Sequence, residues 1–189
     1  NDVKIYGSGL NDGNESLVVS NLKMHFPIYG GVFRRQTGKV YAVDDVSLKI
    51  NAGETVGLVG ESGCGKTTFG RCVLKLYNPT SGQVSFNGNN ILKMRQKDLR
   101  PLRRNMQMIF QDPFESLNSR HTIGDILEEP FIIHKIGTPA ERKKEVKKLL
   151  ARVGLQENAV NRYPHEFSGG QRQRIGIARA IALKPGLII

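Results

Sequence analysis

The chain has 189 residues, enough to bury a substantial core in one domain or in one domain with a subdomain. Its net charge of +11 and pI near 9.9 fit three kinds of protein: one that binds nucleic acid, one that lies on an anionic membrane, and one with a nucleotide site beside solvated helices. No run of about 18 apolar residues occurs, which argues against a membrane-spanning protein, and no charged-then-apolar leader occurs, which argues against an exported one. The two cysteines lack metal-ligand spacing and fit a reducing cytoplasm.

The first part of the chain predicts a flexible segment followed by strands. Residues 1–16 are rich in Asn, Gly, Ser and Asp and are expected to be mobile. Residues 17–26 are strand-like, and apolar residues alternate with polar ones over residues 46–50, as in a half-buried strand. Between them, residues 27–38 form a basic, glycine-containing insertion that predicts a loop or a hairpin.

A strand, a glycine-rich loop and a helix follow one another in the most informative part of the sequence. Thr55–Val59 predicts a short buried strand, and residues 68–76 predict a helix with one apolar face. Between them, residues 60–67 spell GESGCGKT, a complete GxxxxGK[ST] phosphate loop. This arrangement predicts a site for a nucleoside triphosphate.

Each residue type in this loop has a physical role in holding phosphate. Gly60, Gly63 and Gly65 permit the tight turn and the close phosphate approach that a Cβ would block. Main-chain N–H groups then form a cradle for the β- and γ-phosphates at the start of the helix. Lys66 is expected to reach the terminal phosphates, and the Thr67 hydroxyl is expected to coordinate Mg²⁺. The other nucleotide-binding residues predicted here are Glu61, Ser62, Cys64 and Thr68.

Two other interpretations of this loop fit less well. A glycine-rich turn without a ligand would not explain the strand before the loop and the helix after it. A Rossmann-type dinucleotide site would need a third glycine three residues after Gly65, where Thr68 stands.

Further strands and helices are predicted along the rest of the chain. Residues 83–86 predict a strand that ends in a turn, and residues 106–110 predict an apolar strand. Thr138 and Glu141 form a capping box with proline between them, and this helix should stop at Gly154. Its basic residues lie opposite its apolar face, which favours a solvated surface over a nucleic-acid patch. The end of the sequence predicts a last helix over residues 170–183 and the opening of a buried strand at residues 187–189.

The start of that last helix carries a second motif. Residues 167–174, FSGGQRQR, place a hydroxyl, two glycines and an amide at a helix N-terminus, where they can face an anion or simply form a turn or cap. Combined with the phosphate loop, the segment resembles the signature of ABC-type ATPases. The residues that carry this resemblance are Ser168, Gly169, Gly170 and Gln171.

Two further segments resemble the same family. Residues 106–113, MQMIFQDP, look like the family's Gln loop, which implies that Gln111 contacts the nucleotide's Mg²⁺. Tyr41 lies 25 residues before Lys66, where the family places an aromatic ring on adenine; an ordinary strand residue is the less favoured alternative. Residues 111–118, residues 162–167 and the insertion near residue 34 are similar to the ATP-binding subunits of oligopeptide, dipeptide and nickel importers.

The resemblance covers residues 17–189 and implies a fold. That fold is an α/β P-loop NTPase of the ABC type, with an antiparallel β subdomain and a helical insertion at about residues 116–166, incomplete at its C-terminal end. Two ATP-binding subunits, identical or different, are expected to face each other head to tail. The phosphate loop of one then closes on ATP and Mg²⁺ against Ser168, Gly169 and Gly170 of the other, so that binding favours the closed pair.

The resemblance also implies a function, an ATPase that energises import of peptides, dipeptides or nickel. The helical insertion would bind transmembrane permease subunits, and an external solute-binding protein would be an indirect partner. The protein would lie in the cytoplasm at the inner face of the membrane. The family pattern places an Asp-Glu pair directly after the apolar run that reaches Ile189, so no catalytic carboxylate is identifiable in the sequence given. Neither Glu61 nor Asp112 is expected to replace it, because base catalysis needs placement within hydrogen-bond reach. Weak or negligible hydrolysis by this chain alone is expected.

Two alternatives remain open from the sequence. The first is a nucleic-acid- or ribosome-associated ATPase of the same family, suggested by the charge, although nucleic acid is not the expected partner because only 7% of residues are aromatic. The second is a truncated fragment that binds nucleotide without turnover.

Overall fold

The computed structural model describes residues 4–8, 15–31, 35–112 and 116–189. These residues fall into two units, one within Asn1–Leu99 and one within Arg100–Ile189. The first unit holds most of the strands and the second most of the helices. The flexible segment predicted at residues 1–16 includes the short strand β1 (Lys4–Ser8) and otherwise lies outside the described residues, apart from its last two.

A four-stranded antiparallel sheet forms the body of the first unit. Its order is β3 (Arg35–Asn51), β2 (Glu15–Gly30), β5 (Ser81–Phe86) and β6 (Asn89–Asn90). The predicted strands at residues 17–26, 46–50 and 83–86 are confirmed, and the basic insertion extends β2 and β3 into a long hairpin. The centre of the insertion, residues 32–34, lies outside the described residues.

The strand before the phosphate loop has an unexpected partner. β4 (Thr55–Val59) pairs antiparallel with β1. Its residues alternate between exposed and half-buried, and Val59 is 53% exposed, so the prediction of a buried strand is wrong. A strand becomes buried when neighbours lie on both edges and helices on both faces, and the described residues give β4 hydrogen bonds to β1 alone.

Two helices complete the first part of the chain. α1 (Lys66–Val73) follows the phosphate loop and buries Phe69, Cys72 and Val73, so the predicted helix begins two residues earlier and ends three residues earlier than expected. α2 (Gln96–Leu102) crosses the boundary between the two units.

The helices of the second unit surround one apolar core. They are α3 (Ile123–Ile133), α4 (Pro139–Arg152) and α5 (Gly169–Ile181). Their core includes Leu127, Leu150 and Ile175, which are fully buried. The capping box predicted at Thr138 is confirmed in both directions, and Gly154 adopts a φ of +69° after the helix end.

Several basic residues of the second unit are paired with carboxylates. Lys147 binds Glu157 at 3.0 Å, Lys148 binds Glu145 at 2.6 Å, and Arg142 Nε donates to Glu128 at 2.9 Å. The pairs of Lys147 and Lys148 are exposed and support the prediction that the basic side of α4 is a solvated surface, whereas the Arg142–Glu128 pair is largely buried.

A short parallel pair of strands closes the second unit. β7 (Met106–Gln107) pairs with β8 (Leu187–Ile188), and Ile109 donates a further main-chain hydrogen bond to Ile189 at 2.8 Å. The strand predicted over residues 106–110 is therefore shorter than expected, although its pairing continues past its end. Among the described residues, no helix has the length and apolar character needed to cross a bilayer.

Candidate functional site

The phosphate loop joins β4 to α1 through a left-handed turn. Gly63 and Gly65 adopt φ values of +81° and +99°, which glycine accepts without strain. The N–H of Cys64 donates to Glu61 O at 3.3 Å, and the N–H of Phe69 donates to Gly65 O at 2.8 Å, where the helix ladder begins. The first N–H groups of α1 have no partners within the helix and no side-chain cap, so they can face an anion.

Lys66 holds the centre of this loop. Its ammonium donates to the carbonyl oxygens of Gly60 and Glu61, both at 2.7 Å, and lies 3.5 Å from the Cys64 sulfur. The loop therefore wraps around one positive charge at the N-terminus of a helix. Both features favour a polyphosphate at this place.

The loop is also packed against strand β3. A Cβ built on Gly65 would lie 1.8 Å from the carbonyl oxygen of Ala42 and 3.8 Å from a methyl group of Val43. The main chains of the loop and the strand are thus in direct contact, and Tyr41 immediately precedes this point on β3.

Tyr41 and the loop line one pocket of about 680 Å³. The Tyr41 ring is 63% exposed, which leaves it available to a flat ligand. The structure therefore brings together one predicted aromatic residue and part of the predicted loop. The lining residues are Tyr41, Ala42, Val43, Asp44, Asp45, Val46, Ser47, Leu58, Gly63, Cys64, Gly65, Lys66 and Phe69.

The remaining predicted residues of the loop lie beside this pocket without lining it. Gly60 and Thr68 are half-buried, and Glu61, Ser62 and Thr67 are exposed. Thr67 is thus an exposed residue at the first turn of α1, and its hydroxyl fits the role of a Mg²⁺ ligand by its chemistry.

The pocket also contains two carboxylates that sequence reasoning missed. Asp44 lies 3.0 Å from His25 Nε2, and Asp45 accepts a hydrogen bond from Asn21 at 3.0 Å. Both side chains are held by strand β2. The signal for them was weak, because an Asp-Asp pair directly before a predicted strand resembles an ordinary turn or bulge.

Ser168 and Gln171 cap helix α5 in the second unit. The N–H of Gln171 donates to the Ser168 hydroxyl at 3.3 Å, and the N–H of Ser168 donates to the Gln171 side chain at 2.9 Å. Gly169 and Gly170 are exposed, and a Cβ on either would meet nothing within 4 Å. The Ser-x-x-Gln spacing of this capping box is already readable in the sequence.

The Gln loop begins in the same unit and ends outside the described residues. Gln111 and Asp112 are exposed, and residues 113–115 are not described. The predicted site residues fall into two groups: Tyr41 and the phosphate loop belong to the first unit, and Gln111 and Ser168–Gln171 belong to the second. Within the described part of the chain, no cluster of three or more His, Cys, Asp or Glu side chains could hold a metal ion.

Arg179 is a further buried contact that the sequence did not indicate. Its guanidinium donates to Ser116 O at 2.5 Å, which joins helix α5 to the segment that follows the Gln loop. Burial lowers the pKa of Arg179 from its ordinary value, and Glu129 opposes that effect.

Comparison with known proteins adds a family match to this geometry. The profile described as ABC transporter matches residues 43–189. The chain is 55% identical over 174 residues to the oligopeptide transport ATP-binding protein AppF of Bacillus subtilis (strain 168), covering 92% of this chain and 53% of that protein. It is 53% identical over 175 residues to OppF of the same organism, with 92% and 55% covered.

Solved structures agree with these relatives. One such structure is the dimeric, post-hydrolysis state of the ATP-binding cassette MJ0796 bound to ADP and Pi. It superimposes on this chain with a TM-score of 0.77 and 28% sequence identity, and the match covers 91% of this chain and 72% of that one. The fold is therefore that of an α/β P-loop cassette. The chain spans about half the length of the curated oligopeptide-transport relatives it matches.

Proposed function

Because the chain belongs to the ABC transporter family of ATP-binding proteins, we propose that it binds ATP and Mg²⁺ and that the whole protein hydrolyses ATP to energise peptide import. One observation carries this proposal: the Lys66 ammonium lies inside the phosphate loop, beside a pocket that Tyr41 also lines. The two relatives described above are named as oligopeptide transport ATP-binding proteins, which supports a peptide as the cargo. Dipeptides and nickel are the other cargoes that the sequence resemblance left open.

Phosphate binding follows from the loop geometry. The β- and γ-phosphates would accept hydrogen bonds from the free N–H groups at the start of α1. Lys66 would exchange its two carbonyl partners for phosphate oxygens, and hydrogen bonds between charged groups are the stronger kind. Tyr41 would stack on adenine at the other side of the pocket.

Magnesium would complete the anion site. The Thr67 hydroxyl would bind the ion next to the phosphates, and Gln111 would contribute a second oxygen ligand. When bound, Mg²⁺ neutralises charge on the phosphates and so favours attack by water. Asp44 and Asp45 are not the activating base in this proposal, because each is already held by a side chain of β2.

A second ATP-binding subunit would close the site. Ser168, Gly169 and Gly170 stand at the exposed start of α5, where a Cβ on either glycine would meet nothing within 4 Å. These groups can approach a phosphate held by another subunit, and the MJ0796 cassette is itself dimeric. An identical chain or a related one would supply this partner with the same chemistry.

The helical unit would contact the permease. Ile132 and Ile133, at the C-terminal end of α3, are 53% and 49% exposed. Two adjacent exposed isoleucines suit burial against another protein. We propose them as part of the surface that receives cytoplasmic loops of the membrane subunits, with the protein at the inner face of the membrane and a solute-binding protein acting indirectly.

The nucleotide proposal is tested by calorimetric titration of ATP with Mg²⁺ into the wild type and Lys66→Ala. Loss of two charge-assisted hydrogen bonds should weaken binding by on the order of a hundredfold. Lys75→Ala is a matched control, since Lys75 also donates to two carbonyl oxygens, those of Leu92 and Met94, at the other end of the same helix. Unchanged affinity in Lys66→Ala, or an equal loss in both variants, would contradict the assignment.

A further inference from the structure

His25 lies beside the aromatic ring that the proposed function places on the base. His25 and Tyr41 are cross-strand neighbours on β2 and β3. Their ring centroids are 4.4 Å apart with 63° between the ring planes, an edge-to-face arrangement. Such aromatic pairs are favourable beyond the area they bury.

His25 itself is fixed from the other side. Its Nε2 lies 3.0 Å from an Asp44 carboxylate oxygen, which can only accept, so Nε2 carries the hydrogen. Its main-chain N–H donates to the Thr80 hydroxyl at 2.9 Å. The His25 side chain is 13% exposed, whereas Tyr41 is 63% exposed. The His25 ring is therefore held in place and supports the Tyr41 ring, which is otherwise open to solvent.

We propose that His25, oriented by Asp44, is a positioning residue that holds the Tyr41 ring ready to stack on the base of the nucleotide. The inference rests on the proposed function, because it needs a nucleotide in the pocket that Tyr41 and Lys66 line. An exposed tyrosine without this support samples several rotamers, and immobilising it on binding reduces affinity. Contact with His25 restricts the Tyr41 ring before the ligand binds, so less affinity is lost in immobilising it.

This role predicts an effect that depends on the base. A ligand that carries the same phosphates without a base, inorganic tripolyphosphate, would contact the loop and Lys66 but not Tyr41. Substitutions at His25 should therefore weaken ATP and leave tripolyphosphate unchanged. A purely structural role for His25 would weaken both ligands together.

The experiment is titration of ATP and of inorganic tripolyphosphate, each with Mg²⁺, into the wild type, His25→Ala and His25→Gln. His25→Ala should weaken ATP by roughly three- to tenfold, the range expected for one aromatic pair. His25→Gln keeps an N–H that can reach Asp44 but lacks the ring, so it separates the hydrogen bond from the aromatic contact and should also weaken ATP. It serves as the reporter if His25→Ala does not fold.

Two controls isolate the contact with Tyr41. Lys23→Ala removes the other partner of Asp44, at 3.7 Å, without touching Tyr41, and it should leave ATP affinity unchanged. In a Tyr41→Ala background the His25 substitution should have no further effect, because the contact that couples them is gone. Three results would overturn the inference. The His25 substitution could still weaken ATP binding in the Tyr41→Ala background, it could weaken ATP and tripolyphosphate equally, or both His25 variants could bind ATP as tightly as the wild type. Failure of the wild type to bind either ligand would instead refute the proposed function.

Discussion

The carbonyl oxygen of Ala42 lies 1.8 Å from the point where a Cβ on Gly65 would stand. The phosphate loop and strand β3 therefore touch through bare main chain at this position. Real Cβ atoms never approach main-chain atoms so closely, so the position requires glycine for space as well as for its φ of +99°. The same contact fixes the distance between the loop and Tyr41.

Gly65→Ala should displace the loop from β3 and abolish ATP binding, because the backbone of Ala42 cannot move without disturbing the sheet. Gly53→Ala is the matched control: it has a similar positive φ of +75°, nothing lies within 4 Å of its Cβ, and it stands outside the phosphate loop. The control should lose about 1 kcal/mol of unfolding free energy from its left-handed backbone. Denaturant unfolding and ATP titration measure the two effects, and equal losses in both variants would show that the Ala42 contact is unimportant.

The two cysteines should differ in reactivity. Burial raises the pKa of the Cys72 thiol to about 11, which removes nearly all thiolate at neutral pH. Cys64 is half-buried in the phosphate loop, with its sulfur 3.5 Å from the Lys66 ammonium. Iodoacetamide at pH 8 should therefore label Cys64 in the folded chain and spare Cys72, as peptide mass spectrometry would show.

Bound ATP should slow the same labelling, since phosphates would cover the loop. Cys64→Ser is the control and should take up almost no label until the chain is unfolded. Labelling of Cys72 at a similar rate would contradict the burial of that residue, and labelling of Cys64 that ATP leaves unchanged would count against the phosphate site.

Arg179→Met should destabilise the second unit. The guanidinium donates to Ser116 O, and its removal leaves that carbonyl without this donor in a partly buried position. A loss of about 1–3 kcal/mol of unfolding free energy is expected for such a hydrogen bond from a charged group. Arg174→Met on the same helix is the comparison, and urea unfolding of both variants would reveal whether the Ser116 contact matters.

Stability should depend on pH through His134. Burial lowers the pKa of His134 below its ordinary value of 6.5, and Arg104 and Arg100 lower it further. Between that lowered value and pH 6.5 the unfolded chain binds more protons than the folded one, so the unfolding free energy rises with pH across this window and this contribution is lost on acidification. Above the window it is constant.

Chemical unfolding at several pH values just below 6.5 measures this slope. His134→Gln should make the slope shallower, and Arg104→Gln should do so in part, since it removes one of the charges that disfavour the protonated ring. A slope that stays the same in His134→Gln would assign the pH dependence to other groups.

Local patterns in the sequence predicted both ends of helix α4. The Thr138 capping box joins residues three positions apart, the Gly154 stop lies 16 positions after Thr138, and the structure reproduces both. The burial of Thr55–Val59 was predicted wrongly, because apolar content fixes which residues prefer the interior but not which strand lies beside them. Pairing of residues 55–59 with residues 4–8 joins segments far apart in the chain.

The candidate site shows the same difference between local patterns, which the sequence reveals, and long-range contacts, which it does not. The sequence alone determined the phosphate loop, since its glycines, Lys66 and Thr67 lie within eight consecutive residues and their chemistry follows from local backbone geometry. The contacts of His25 with Tyr41 and Asp44, and of Gly65 with Ala42, were decided only by the tertiary structure. They depend on the register of β2 against β3 and on how the loop packs on that sheet, and such long-range packing leaves no periodic signal in the sequence.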